Sequence, residues 1–180
     1  NYSPGAEKAM TTRFLAQLPQ DVQATLRRVS PLDWEGIDVQ VQRLAHLDAM
    51  VPQSKVWTGL RYVVGQMRGN RQLRGALRVV GATIGQTIYI DPDFADWNTA
   101  SGLALLAHER LHVEQQRTIP NFDNLYAEEQ QFVRPNHPED NPYERVAYET
   151  ECRVYNALVA QGVPPGNWVP LGVAMGFCAG

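Results

Sequence analysis

The sequence predicts a single α+β domain over residues 1–180, and three observations carry that prediction. Residues 37–44 and 77–90 have the alternation and β-branched content of short strands. Residues 99–117 and 143–160 are much longer and carry helical apolar spacing. The short strands all precede the two long helices, an order that fits α+β better than a regular strand–helix alternation. At 180 residues, 44% hydrophobic and 19% charged, the chain has enough apolar material for one core without metal or disulfide staples.

The elements are taken in chain order. Residues 7–18 put Met10, Phe14 and Leu18 on one helical stripe, which predicts a first helix. Pro19 interrupts it and suits the first turn of a second helix, to about Val29, with Val22, Leu26 and Val29 inward. Ile37, Val39 and Val41 then alternate with Asp38, Gln40 and Gln42, the pattern of a half-buried strand. Residues 54–67 read as a helix, and Gly69, Asn70 and Gly75 loosen the stretch after it. Two β-rich runs, 77–84 and 86–90, meet at a tight turn near Gly85, and Pro92 closes the second. Asn98 and Thr99 are capping residues that start a long helix reaching about Arg117. A further helix is expected over 122–133, a proline-rich loop over 135–142, and a last long helix from about Tyr143 to Ala160. The chain thus divides into an N-terminal part (1–75), a core (76–160) and a tail (161–180).

The net charge of −3 selects no partner, but the charge is unevenly spread. Residues 51–90 contain Lys55, Arg61, Arg68, Arg71, Arg74 and Arg78 and no acid, whereas 121–151 hold eight acids against Arg134 and Arg145. A basic stretch is the electrostatic footprint of nucleic-acid binding. Here its aromatics (Trp57, Tyr62, Tyr89) are sparse and no nucleic-acid module is recognisable, so pairing with the acidic stretch or plain solvation is the ordinary reading. No segment approaches the roughly 20 apolar residues of a membrane helix. The chain opens on Asn1, which is compatible with a trimmed secretion signal and sets the expectation of a secreted or extracellular protein. Cys152 and Cys178 are either one disulfide of an oxidising compartment or two buried thiols.

The chemistry concentrates in LLAHERLHVEQQ, residues 105–116. On a helix, residues four apart share a face, so His108 and His112 direct two imidazoles at one point. Zinc is the expected ion, since it takes neutral imidazole nitrogen in a tetrahedral site. Glu109, one step round the helix, is placed to take a proton from a water on that ion, the logic of H-E-x-x-H hydrolases. Leu103, Leu105, Leu106, Ala107, Leu111 and Val113 bury the helix, and two buried histidines beside a glutamate are costly unless something pairs them. The alternative is two core histidines satisfied by backbone or carboxylates.

A catalytic zinc has three protein ligands and one open position. The extended H-E-x-x-H-x-x-G-x-x-H form fails, because Gln115 and Thr118 stand where glycine and the last histidine belong. Glu144 is favoured, at the start of a helix able to pack antiparallel across the motif helix. Glu149 or Glu151, then His137 and Asp123, are the other candidates. A donor to the developing oxyanion is also needed, from among Tyr126, His137, Tyr143, Tyr148 and Tyr155, with Tyr148 nearest in register to Glu144.

The stretch TIYIDPDFADWNTASGLALLAHERLHVEQQ, with NPYERVAYETE after it, resembles the bacterial H-E-x-x-H domain associated with extracellular contractile injection systems, over about residues 78–155. It departs from that pattern at Arg110 and Glu114, which flank the ligands without removing them. The resemblance implies a zincin-like metallopeptidase fold: a small mixed sheet, the H-E-x-x-H helix and a mostly helical C-terminal half. Residues 144–148 also resemble the E-x-x-A-D helix of gluzincin peptidases. Carried over, this makes Glu144 the third ligand and Tyr148 the counterpart of the aspartate that orients a ligand histidine. It further implies that Thr87–Ile90 walls the substrate cleft and takes an extended peptide onto a sheet edge, against the plainer reading of a core strand. The expected function is zinc-dependent hydrolysis of peptide bonds in a peptide or protein substrate. The competing reading is a latent or non-catalytic metal-stabilised module of a secreted effector or toxin.

Overall fold

The computed structural model describes residues 9–11, 16–34, 37–42, 59–60, 81–134 and 137–178. Five strands form one mixed sheet in the order β1-β2-β5-β4-β3: β1 (Ala9–Thr11), β2 (Asp38–Val41), β3 (Gly59–Leu60), β4 (Gly81–Ile84) and β5 (Thr87–Ile90). Strands β2 and β5 run parallel, with Val39 opposite Ile88 and Val41 opposite Ile90. The other three pairings are antiparallel.

The alternation in the sequence sets the two faces of this sheet. Val39, Ile88 and Ile90 are buried in the core, while on the opposite face Asp38 Oδ2 accepts from Thr87 Oγ1 (3.3 Å) and Gln40 Nε2 (3.2 Å). The hairpin β4–β5 turns through Gly85 and Gln86, and Gly85 takes φ +60°, which glycine tolerates without steric cost. Its register places Gly81 opposite Ile90 and Thr83 opposite Ile88. Gly81 and Thr83 therefore lie on the core face.

Five α-helices accompany the sheet, with short 3-10 turns at Pro92–Phe94 and Pro138–Asp140: α1 (Gln20–Val29), α2 (Ala100–Thr118), α3 (Phe122–Gln130), α4 (Pro142–Ala160) and the short α5 (Leu171–Ala174). Thr99 caps α2 by accepting from the Gly102 amide, and Asn141 caps α4 by accepting from the Tyr143 amide with Pro142 in the first turn. Helix α2 packs on β4 and β5 on one side and along α4 on the other, while α1 rests on α4. This sandwiched position explains why α2 is buried almost all round. Leu103, Leu105 and Leu106 join Leu26, Trp34, Ile88, Ile90, Val154, Leu158 and Trp168 in one core. Buried Arg110 donates from Nε to the Asp33 carbonyl (2.6 Å), tying the chain after α1 to the motif helix. Cys152 and Cys178 form a disulfide, with 5.7 Å between their Cα atoms.

Three expectations need correcting. Of the helix expected over 7–18, residues 9–11 instead pair with β2, Met10 opposite Val39; the rest of that stretch lies outside the described residues up to Ala16. Of the helix expected over 54–67, only Gly59 and Leu60 are described, and they form β3. Strand β5 is central, hydrogen-bonded to β2 on one side and β4 on the other. Thr87–Ile90 thus has no free edge for an added peptide strand.

Candidate metal centre

Helix α2 brings His108 and His112 onto its α4-facing side, as their spacing of four requires. Their Nε2 atoms are 3.2 Å apart. From the first turn of α4, Glu144 completes a triangle: Oε2 is 3.2 Å from His108 Nε2 and Oε1 is 3.1 Å from His112 Nε2. All three side chains are buried, Glu144 to within 3%. Zinc bonds of about 2.0–2.1 Å place tetrahedral ligand atoms about 3.3 Å apart, so the triangle matches one face of such a site.

The outer partners fix which ring atoms face inward. Gln115 Nε2 donates to the Tyr143 carbonyl (3.1 Å), which turns its Oε1 toward His112 Nδ1 at 2.8 Å. His112 Nδ1 must therefore carry a proton and donate it. His108 Nδ1 lies 2.8 Å from Glu151 Oε2, the carboxylate–histidine pairing typical of ring nitrogens behind a metal ligand. Tyr126 donates its hydroxyl to Glu144 Oε1 at 2.7 Å. With both Nδ1 atoms directed at acceptors, two Nε2 atoms and a carboxylate converge with their lone pairs on one point. A divalent cation at their centre would satisfy all of them, and two imidazoles with a carboxylate are a donor set that zinc accepts.

The ionisation equilibria reflect this crowding. Burial pushes His108 down from 6.5 to about 4, against the pull of Glu144. Burial also acts to lower His112, but the charge and hydrogen bond of Glu144, with the charge of Glu109, outweigh it and raise His112 to about 9. Glu144 is held below the usual carboxylate range: burial opposes ionisation, and the two histidines overcome it. In the metal-free protein the inward proton thus resides on His112.

Glu109 projects from α2 toward the sheet. Its Oε2 accepts from Thr83 Oγ1 at 2.6 Å. A Cβ at Gly81 would come within 2.9 Å of its Oε1, so the small residue there makes room for the carboxylate. Burial raises Glu109 from 4.5 to about 7, while His112 and the Thr83 hydroxyl pull it down. A carboxyl poised near neutrality is what a general base requires.

The remaining candidates fall elsewhere. Asp123 is exposed in the first turn of α3. Glu149 pairs with Arg145 at 3.7 Å. His137 Nδ1 lies 2.8 Å from Glu139 Oε1 in a partly exposed cluster with Asp140, the only other His/Asp/Glu group of ligand spacing among the described residues. Tyr148 does not take the place of the orienting aspartate. Its ring meets the His108 ring edge-on with centroids 4.9 Å apart, and Glu151, one turn further along α4, holds Nδ1. Gln115, Thr83 and Gly81 belong to the centre although the H-E-x-x-H spacing marks none of them. Tyr126, one of the tyrosines expected to serve the oxyanion, instead holds Glu144.

Residues 62–120 match the family model of the eCIS core domain. The match covers about a third of the chain and associates that part with extracellular contractile injection systems. It includes His108, Glu109, His112, Gln115 and Thr83, begins further upstream than the resemblance read from the sequence, and stops before α4 with Glu144 and Glu151. No curated protein and no solved structure matches the chain.

Proposed function

We propose that this chain is a zincin-like, zinc-dependent hydrolase of peptide bonds, acting in the extracellular setting of a contractile injection system. The observation that carries the proposal is the convergence of His108 Nε2, His112 Nε2 and Glu144 within 3.1–3.2 Å, with Glu109 buried on the helix that carries both histidines. When bound, zinc supplies Lewis-acid chemistry, lowering the pKa of a coordinated water to about 7 and polarising a carbonyl. His108, His112 and Glu144 would hold the ion, the ligand set of gluzincin peptidases. Glu109, with its pKa near 7 and one oxygen anchored by Thr83, accepts the proton of the attacking water and delivers it to the leaving amine. Tyr148, packed on His108, is assigned as donor to the developing oxyanion. Burial raises its pKa well above 10, so its hydroxyl keeps its proton.

The test joins metal analysis with Glu109→Gln. The expected result is one zinc per chain in both proteins, with cleavage of a peptide library by the parent and none by the variant. Absence of stoichiometric zinc, or unchanged cleavage by the variant, overturns the reading. One observation favours a second reading, a closed metal-stabilised module: His108, His112 and Glu109 have no exposed surface. That module is expected to lose stability on chelation and to cleave nothing.

A further inference from the structure

We propose that the C-terminal segment 170–178, clamped by the Cys152–Cys178 disulfide, is a positioning element of the metal centre. It acts on His108 through Glu151 and Tyr148; the inference rests on the metal-binding part of the function proposed above.

The segment approaches the centre along two routes. The first is polar. Glu151 is fully buried with Oε2 on His108 Nδ1. The backbone amides of Gly172 and Leu171 lie against its carboxyl group. Those amides belong to the tail, so the tail backs the carboxyl group that meets His108 Nδ1. Their approach depends on a glycine: a Cβ at Gly172 would lie 2.3 Å from the Tyr148 carbonyl oxygen. The second route is apolar. Phe177 stacks on Tyr148 with centroids 5.8 Å apart at 16°, and Tyr148 meets the His108 ring edge-on at 4.9 Å.

The disulfide pins this segment at its far end. Within the segment the Met175 amide donates to Leu171, and the Phe177 amide donates to the Gly172 carbonyl (3.0 Å), so residues 171–177 form one hydrogen-bonded unit. Cys178 comes directly after it and is bonded to Cys152, the neighbour of Glu151 on α4. A bridge on one end of the unit and Gly172 at the other hold it against the stretch of α4 that carries Tyr148 and Glu151.

Outer-sphere partners of a ligand histidine typically govern metal affinity by about 10–100-fold. The experiment measures zinc affinity by competition with a chromophoric chelator for the parent, Cys152→Ser/Cys178→Ser, Glu151→Gln, and the three substitutions combined. Gly172→Ala is a second probe that keeps the bridge, and circular dichroism verifies folding. The expected result is about 10-fold or greater loss on removing the bridge and on Gly172→Ala. In the Glu151→Gln background, removing the bridge is expected to cost markedly less, because the polar route is already cut. Unchanged affinity in both the serine variant and Gly172→Ala overturns the proposal, as does an equal loss with and without Glu151. If the serine variant does not fold, Gly172→Ala and its combination with Glu151→Gln decide on the same two criteria. A parent protein that binds no zinc overturns the metal-centre reading itself, and this proposal with it, a result distinct from a parent that binds zinc and variants that bind it equally well.

Discussion

Glu144 raises the His112 pKa and so gives zinc loading a characteristic pH dependence. In the metal-free protein His112 keeps its proton up to about pH 9, because the charge and hydrogen bond of Glu144 outweigh burial. That proton occupies the nitrogen that must ligate the ion, so loading releases it and apparent affinity climbs with pH. The fraction of His112 free of its proton is about 1% at pH 7 and about half at pH 9, so apparent affinity is expected to rise about 50-fold across that interval. Glu144→Gln removes the leading cause of the raised pKa. The variant is expected to bind zinc more weakly at every pH and to change less than about twofold over the same interval, as His112 returns toward 6.5. The sign for stability is opposite. A raised folded-state pKa stabilises the metal-free fold fully below about pH 6.5, and that contribution is lost as pH rises through about 9. Chelator competition at several pH values, with proton release measured calorimetrically in two buffers, checks both statements. A parent affinity flat between pH 7 and 9, or a variant as steep as the parent, would refute the assignment of the shared proton to His112 and its cause to Glu144.

Three further outcomes are expected. Gln115→Leu removes the acceptor of His112 Nδ1 and should cost about 10–100-fold in zinc affinity by the same titration, with the fold intact by circular dichroism. Gly81→Ala pushes a methyl to 2.9 Å from Glu109 Oε1 and should destabilise the fold by about 1–3 kcal/mol in urea denaturation; a midpoint equal to the parent's contradicts the close approach. Thr83→Val deletes the hydroxyl that favours ionised Glu109, so the carboxyl should move above about 7 and the acid limb of a pH–cleavage profile should shift upward, whereas Thr83→Ser should restore it.

Legibility from the sequence tracked how local each relationship is. His108, Glu109 and His112 are given by helical spacing within five residues, and the burial of α2 on nearly every side was implied by its apolar circumference. Glu144 is the favoured third ligand because a helix packed antiparallel gives it a rigid route to the histidines, and its carboxylate lies 3.1–3.2 Å from both Nε2 atoms. That Glu151 and not Tyr148 meets His108 Nδ1 is not legible, because residues 144, 148 and 151 share one side of α4 and spacing alone does not tell which reaches a ring nitrogen. Gln115 carried a usable signal: an amide three residues after a ligand histidine, able to accept from it and donate elsewhere. The strand order was not readable. That β5 lies between β2 and β4 depends on pairing partners some fifty residues apart, as in Asp38 opposite Thr87. The stripe Met10, Phe14, Leu18 obeys a helical period, yet residues 9–11 are drawn into extended form by β2, where non-local pairing overrides local periodicity.

The two histidines are supported from different distances along the chain. Gln115 braces His112 from the same helix, so that half of the centre comes into being whenever α2 winds. His108 is braced by Glu151, and the third donor is Glu144, both on a helix that begins more than twenty residues after α2 ends. Ion capture would therefore also weld two helices together. Stripping the ion should leave the inner helix wound while its companion swings loose, and amide exchange would register that asymmetry first along residues 142–151.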